Sequence, residues 1–181
     1  MEDAETPEIG EVEAEGLIHS PLALRLNPTR LTLSANKIIV NWRLSVRNAS
    51  DAHIVSLRIW SDMTAAKRTA IRSEEAGRPD MDRAKLHKAE LLPPDEETHS
   101  SGEWHMPRDE AQPVKRGPVQ NFAEPRVLPV ARFRLIGAGI PPTYLNFAIG
   151  NLNENDGSLP EPLLFDDRIQ IFPDLSAVQL A

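Results

Sequence analysis

The sequence predicts an all-β protein, with about eight strands in two antiparallel sheets that pack face to face as a β-sandwich. In the run from Lys37 to Asn48, every second residue is large and apolar, and most residues between them are polar. Because side chains on a strand alternate between its two faces, this run indicates a strand with one buried face. Similar runs recur with turn formers between them, and segments of helical period are too few for βαβ units.

Taken in order, the chain begins its strands near Leu22, after an acidic segment. Leu22 to Leu26 and Leu31 to Leu33 are predicted as two short strands, separated by a turn at 27–29. The strongest run, 37–48, follows, and Trp42 on its apolar side is predicted to lie in the core. The next alternating run, 53–63, is expected to bury Val55, Leu57 and Ile59 on one face. Further strands are predicted at 86–92, 97–106, 126–136, 144–149 and 163–172.

The segment 64–85 interrupts this pattern and is the first candidate for a binding region. Long connections are often functional, and this one is rich in basic residues. One interpretation is a solvated crossover between the two sheets. The other is a binding loop for an anionic protein partner, for which the candidate residues are Lys67, Arg68, Arg72 and Arg78.

The net charge of −7 comes from the N-terminal segment. Residues 1–16 hold seven of the 27 acidic residues and no basic ones, so 20 acidic and 20 basic residues are left in the body. We predict a disordered acidic tail at 1–16 and one β-sandwich domain at 17–181. A neutral body predicts no nucleic-acid partner.

No signal peptide or membrane span is recognisable in the sequence as given. We therefore expect no membrane insertion by this chain, which is either cytoplasmic or the soluble part of an envelope protein. Nothing in the sequence predicts its oligomeric state.

Two further tryptophans, Trp60 and Trp104, fall on strand faces that are less apolar than the face of Trp42. Exposed aromatic side chains are typical of sugar-binding and protein-binding surfaces. Both residues are therefore candidates for binding, with burial beneath long loops as the alternative.

No catalytic motif, metal site or cofactor site is predicted. The chain has no cysteine and no GxSxG or glycine-rich phosphate-binding motif. His99, Glu103 and His105 share one face of a predicted strand, but His99 and His105 would lie about 20 Å apart along it. One ion could not bind both imidazoles, so no metal site is predicted there. Because no catalytic motif is present either, the chain is predicted not to be an enzyme and to carry no cofactor.

Two turn motifs resemble those of immunoglobulin-like modules in bacterial envelope proteins. In such modules a strand ends in V-x-N-x-S/G, and a later L-x-P-G-E-x turn starts another strand. The first corresponds to Val46-Arg47-Asn48-Ala49-Ser50, and the second to Leu92-Pro93-Pro94-Asp95-Glu96, where proline and aspartate replace the usual residues. The likeness extends over about 21–136 and implies an immunoglobulin-like fold with a structural or adhesive role. It implies no catalytic residue.

Together these observations predict a non-enzymatic interaction or structural module that binds another protein through the segment 64–85. The alternative is a carbohydrate-binding or carbohydrate-processing sandwich that uses exposed Trp60 and Trp104. The triplet Asn48-Ala49-Ser50 also matches the N-glycosylation pattern, which often occurs by chance.

Overall fold

The computed structural model describes residues 20–67, 71–111, 113–114, 125–151 and 159–181, so the predicted acidic tail lies outside the described residues. The strands are β1 Leu22–Leu33, β2 Lys37–Asn48, β3 Ile54–Ala65, β4 Lys85–Leu92, β5 Glu97–Pro107, β6 Arg126–Val127, β7 Pro129–Ala138, β8 Ile140–Asn151, β9 Leu163–Leu164, β10 Gln170–Phe172 and β11 Leu175–Gln179. One short helix, α1 Ser73–Ala76, and a single 3₁₀ turn, Arg108–Glu110, complete the described elements.

The all-β prediction is confirmed, and every described strand pairing is antiparallel. The order in the four-stranded sheet is β10-β1-β2-β5, and in the five-stranded sheet it is β11-β8-β7-β3-β4. A third sheet holds only β6 and β9. The prediction of about eight strands is too low, because the described residues form eleven. Several of the additional strands have only two to five residues, too short for a clear alternation in sequence.

The predicted central strand is confirmed as β2, with the same bounds. Ile38, Val40, Trp42, Leu44 and Val46 are all buried, as the alternation predicts. Because β2 lies between β1 and β5, it is hydrogen-bonded along both edges. It therefore presents its apolar face from the middle of the four-stranded sheet.

The prediction of two short strands separated by a turn at 27–29 is wrong. Residues 22–33 form one strand, β1, whose pairing with β2 shifts between Pro28 and Arg30. In a regular strand, residues five positions apart lie on opposite faces. The irregularity shifts the alternation by one residue, so Leu26 and Leu31 both face the core. A proline beside polar residues is compatible with a bulge as well as a turn, and the local sequence does not distinguish them.

The prediction for β3 is wrong at its first residues. Val55 is 43% exposed, whereas Ile54 and Leu57 are each 1% exposed. The cause is Ser56, whose positive φ of 54° accompanies a register shift against β7 between Val55 and Arg58. The shift changes the face of the residues before it, and the alternation is regular again from Leu57 onward.

Aromatic side chains join the two large sheets across the core. Trp42 on β2 stacks on Trp104 of β5, with ring centroids 4.8 Å apart. Trp104 meets the edge of Phe133 on β7 at 5.8 Å, and Phe133 meets Phe147 on β8 at 5.6 Å. This row therefore crosses from the inner face of one sheet to that of the other, and the prediction of Trp42 in the core is confirmed.

Candidate functional site

The segment predicted as a binding loop is anchored to the five-stranded sheet by a few buried residues, while most of its described residues are exposed. It connects β3 to β4, which are neighbours in the same sheet, so the expected crossover between sheets is wrong. Ala66, Ile71 and Ala76 are buried in a second apolar cluster on the five-stranded sheet. The connection therefore covers part of the outer face of that sheet.

A buried ion pair holds this connection in place. Asp62 on β3 accepts hydrogen bonds from Arg132 Nε at 2.7 Å and Nη2 at 2.5 Å, and their side chains are only 8% and 16% exposed. Asp62 also accepts the backbone N–H of Asp80 at 2.8 Å, and Arg132 donates to the carbonyl of Ala76. Both charged groups thus bind the connection as well as each other.

A second anchor is the buried side chain of Asn146 on β8. Its Nδ2 donates to the carbonyl of Ser73 at 2.8 Å and to that of Gly77 at 3.3 Å. The backbone N–H of Ser73 donates to the carbonyl of Ala181. The short helix α1 is therefore attached to the sheet at both ends.

The predicted basic candidates are not gathered into one site. Lys67, Arg72 and Arg78 are exposed, and Arg68 lies outside the described residues. Only Arg78 has a described aromatic contact, with its guanidinium 4.4 Å from the centroid of the Tyr144 ring.

Of the two alternatives for Trp104, the structure shows burial, in the core between the sheets rather than beneath long loops. Its side chain is 3% exposed, and its Nε1 donates to Ser61 Oγ on the opposite sheet at 3.1 Å. The sequence is misleading here because the same face of β5 carries Thr98, Ser100 and Gly102, which are small or polar. Trp60, in contrast, is partly exposed on the outer face of the five-stranded sheet.

Trp60 belongs to a row of side chains that crosses four strands. In register, Leu86 on β4 lies opposite Trp60, Trp60 lies opposite Arg134 on β7, and Arg134 lies opposite Tyr144 on β8. The Arg134 guanidinium lies 5.5 Å from the centroid of the Trp60 ring, and Arg78 extends the row over Tyr144. Cations and aromatic rings thus alternate along the row, in cation–π geometry.

The adjacent row contributes two more cations. Arg58 and Lys88 are both exposed, and they lie directly opposite each other on β3 and β4. Within the described ranges neither has an ion-pair partner. We call the surface formed by these two rows the aromatic–basic face, and its residues are Arg58, Trp60, Arg78, Leu86, Lys88, Arg134 and Tyr144.

Sequence reasoning identified only Trp60 and Arg78 of this face as binding candidates. Alternation along the predicted strand 126–136 puts Arg134 on the outward face, but its alignment with Trp60 and Tyr144 depends on the pairing of β3, β7 and β8. Alternation predicts the face on which a residue lies, and strand register decides its neighbours. No local signal in the sequence gives that register.

The two turn motifs that resemble those of immunoglobulin-like modules, 46–50 and 92–96, meet at Asn48 in the structure. Its Nδ2 donates to the carbonyls of Ala52 at 2.7 Å and Leu92 at 2.9 Å, while Oδ1 accepts from the N–H and the hydroxyl of Ser50. The Asn48 backbone exchanges hydrogen bonds with the turn 92–96 as well. Asn48 is completely buried, so its side chain is unavailable for glycosylation in the folded protein.

The histidines of β5 make ordinary surface contacts. Glu103 accepts from His105 Nε2 at 2.7 Å, which lowers the pKa of that carboxyl group, and Asn41 also donates to it. His99 lies next to Ser45 and Glu97 instead. In the part of the chain that the structure describes, no three His, Asp or Glu side chains are grouped as metal ligands would be.

No protein-family model matches the sequence, and a search of curated proteins gives no match. The resemblance to immunoglobulin-like envelope modules therefore stays a prediction. Among the described residues no helix has the length and apolar character to cross a membrane.

Proposed function

We propose that the chain is a non-enzymatic immunoglobulin-like β-sandwich module that binds another protein through the aromatic–basic face. The observation behind this proposal is the row in which Trp60, Arg134 and Tyr144 lie side by side, with Arg78 stacked at its end. Trp, Tyr and Arg are the residue types that most often contribute large binding energies at protein interfaces. The segment 64–85 takes part through Arg78 rather than as a free loop.

The charge of this face favours an acidic partner. Arg58 and Lys88 are like charges placed directly opposite each other, an arrangement that destabilises a sheet unless an anion lies nearby. In addition, Arg134 Nε is buried without an acceptor among the described residues. Carboxylates of a partner could compensate all three cations, so we propose an acidic, extended segment as the ligand.

The alternative function, carbohydrate binding, keeps only one of the two exposed tryptophans on which it depends. It required Trp60 and Trp104 as exposed rings, and Trp104 lies in the core. Trp60 also has Arg134 against its ring, an arrangement that suits anion binding better than sugar stacking.

The proposal can be tested with a fluorescein-labelled peptide of alternating Glu and Ser, 15 residues long, against its Gln/Ser counterpart. We expect the acidic peptide to bind and the neutral one to bind at least about tenfold more weakly, in fluorescence anisotropy at low salt. The double variant Arg58→Gln/Lys88→Gln should weaken binding about five- to tenfold, and Trp60→Ala at least about tenfold.

The matched control is Arg25→Gln/Arg43→Gln, which removes the same charge from two exposed positions on the outer face of the four-stranded sheet. A general charge effect would weaken binding equally in both double variants and would contradict the proposal. So would equal affinity for the acidic and neutral peptides. Circular dichroism of each variant verifies that the fold is retained.

A further inference from the structure

A cleft between β4 and β5 forms a second candidate site, which adjoins the aromatic–basic face at Leu86. β4 is one edge strand of the five-stranded sheet, and β5 is one edge strand of the four-stranded sheet. The two strands meet where His87 Nε2 lies 3.2 Å from Thr98 Oγ1. Between them is a cavity of about 400 Å³. This volume lies within the usual range of small-molecule sites, about 300–1,000 Å³.

The cleft exists because the inward positions of both edge strands carry small or polar residues. On β5, Ser100 and Gly102 lie opposite Leu44 and Trp42 of β2. On β4, the inward positions opposite Ile59 and Ser61 are His87 and Lys85. Large apolar residues at these positions would have closed the gap between the sheets.

Gly102 allows β5 to lie directly against the Trp42 ring. A Cβ atom at residue 102 would be 3.0 Å from Trp42 Cζ2, closer than side chains normally approach. The indole therefore forms one wall of the cleft, and Leu44 and Ile59 provide the apolar surface around it.

Two of the residues that line the cleft each have a buried polar atom without a partner. Trp42 Nε1 and Ser100 Oγ are both buried, and neither makes a hydrogen bond within the described part of the chain. Trp42 as a whole is only 5% exposed, whereas the neighbouring Trp104 satisfies its Nε1 with Ser61. An unsatisfied buried donor destabilises a fold, so an acceptor placed here would be bound favourably.

The remaining charges of the lining balance. Lys85 and Glu103 carry opposite charges. Burial lowers the pKa of His87 below its usual range, so its imidazole is neutral at pH 7. A site with apolar walls, two unsatisfied hydrogen-bond groups and no net charge suits an uncharged ligand.

We propose that this cleft binds a small uncharged molecule, about one ring in size, through a carbonyl oxygen. The oxygen accepts the Trp42 Nε1–H, Ser100 Oγ is the second polar contact, and the ring packs on Leu44 and Ile59. A carboxylate is disfavoured because its desolvation would have no buried cation to offset it.

The test is an NMR titration of the full chain with three probes of similar size: acetophenone, ethylbenzene and benzoate. The resolved indole N–H signals, assigned with Trp60→Phe and by triple-resonance spectra, report on Trp42 directly. We expect acetophenone to shift the Trp42 indole proton downfield and to bind about tenfold more tightly than ethylbenzene, as one hydrogen bond implies. Equal or tighter binding of benzoate, or no shift at Trp42, would overturn the proposal.

Ser100→Ala supplies the second measurement. It should weaken acetophenone binding about three- to tenfold while leaving the urea midpoint unchanged or higher, since the lost hydroxyl has no partner in the fold. Ser45→Ala is the control, because it removes a hydroxyl from the outer face of the same sheet. Unchanged acetophenone affinity in Ser100→Ala, or equal losses in both variants, would contradict the assignment.

Discussion

At the residue scale, Asn48 connects the end of β2 and the turn that follows it with the turn 92–96, which is distant in sequence. It ends β2, its side chain binds the carbonyls of Ala52 and Leu92, and Ser50 donates to its Oδ1. All hydrogen-bonding groups of the amide are therefore used inside the protein. A buried amide with all its hydrogen bonds made holds the two turns in one arrangement. Any other arrangement of the turns would leave some of these buried groups without a partner.

We expect Asn48→Ala to lower the free energy of unfolding by about 2–4 kcal/mol, because two carbonyls and the Ser50 groups lose their partner. Urea unfolding of the variant against the parent protein measures this. The control is Asn36→Ala, which removes an exposed amide whose one side-chain hydrogen bond among the described residues comes from the neighbouring Ser34 hydroxyl. A loss below about 1 kcal/mol for Asn48→Ala would show that the network contributes little.

The residue scale also shows where sequence reasoning succeeds. The bounds of β2 and the burial of Trp42 follow from alternation alone, since one face of a regular strand must be apolar to be buried. The burial of Trp104 could not be predicted in the same way. Its face of β5 includes Thr98, Ser100 and Gly102, and those residues border a cleft rather than solvent alone.

At the element scale, irregularities in the strands explain two of the wrong predictions, the turn at 27–29 and the burial of Val55. The shift near Pro28 and the positive φ of Ser56 each exchange the two faces of a strand. A bulge adds a single residue to a strand, and many sequences can form one. A prediction that assumes strict alternation therefore assigns the residues after a bulge to the wrong face. The interpretation of 64–85 as a crossover between sheets fails for another reason: the residues that anchor this connection, Asp62, Arg132 and Asn146, lie on strands rather than within it.

The Asp62–Arg132 pair is expected to control the docking of this connection. Arg132→Met would leave the carboxylate of Asp62 in a buried position without its cation, at a cost of about 3–5 kcal/mol in the free energy of unfolding. Hydrogen exchange at 73–80 should become faster by at least about tenfold, because the contact of Arg132 with Ala76 is lost as well.

A matched variant distinguishes this ion pair from the general loss of an arginine. Arg43→Met removes an exposed arginine from the other sheet and should leave exchange at 73–80 unchanged. The double variant Asp62→Leu/Arg132→Met should recover part of the stability, since no unpaired buried charge is left. Exchange in Arg132→Met equal to that of the parent protein would contradict the anchoring role.

At the scale of the whole molecule, stability should fall in two stages as the solution is acidified. Burial lowers the pKa of His87, and hydrogen bonds from Arg168 lower the pKa of Asp166 to about 2. In both cases the unfolded chain binds protons at a higher pH than the folded protein does. The His87 contribution is therefore lost as pH falls below about 6.5, and the Asp166 contribution as it falls from about 4 to about 2.

Urea unfolding at pH 7, 5.5, 4 and 3 measures these stages. His87→Gln should remove most of the dependence between pH 7 and 5.5, since a neutral amide can still bond to Thr98. Asp166→Asn should reduce the dependence below pH 4 and leave the first stage intact. An unchanged slope between pH 7 and 5.5 in His87→Gln would show that another group titrates there.

The placement of the strand edges has a consequence for self-assembly. The free edges of β4 and β5 lie together on one side of the molecule, and on the opposite side the edge strands are β10 and β11, with three and five residues. Because β10 pairs only with Leu31–Leu33, residues 22–30 of β1 have no partner strand on that side among the described residues. A fibre grows only when each copy can accept neighbours on two opposite sides, and strand addition between copies of this chain would find an unpaired stretch of strand on both.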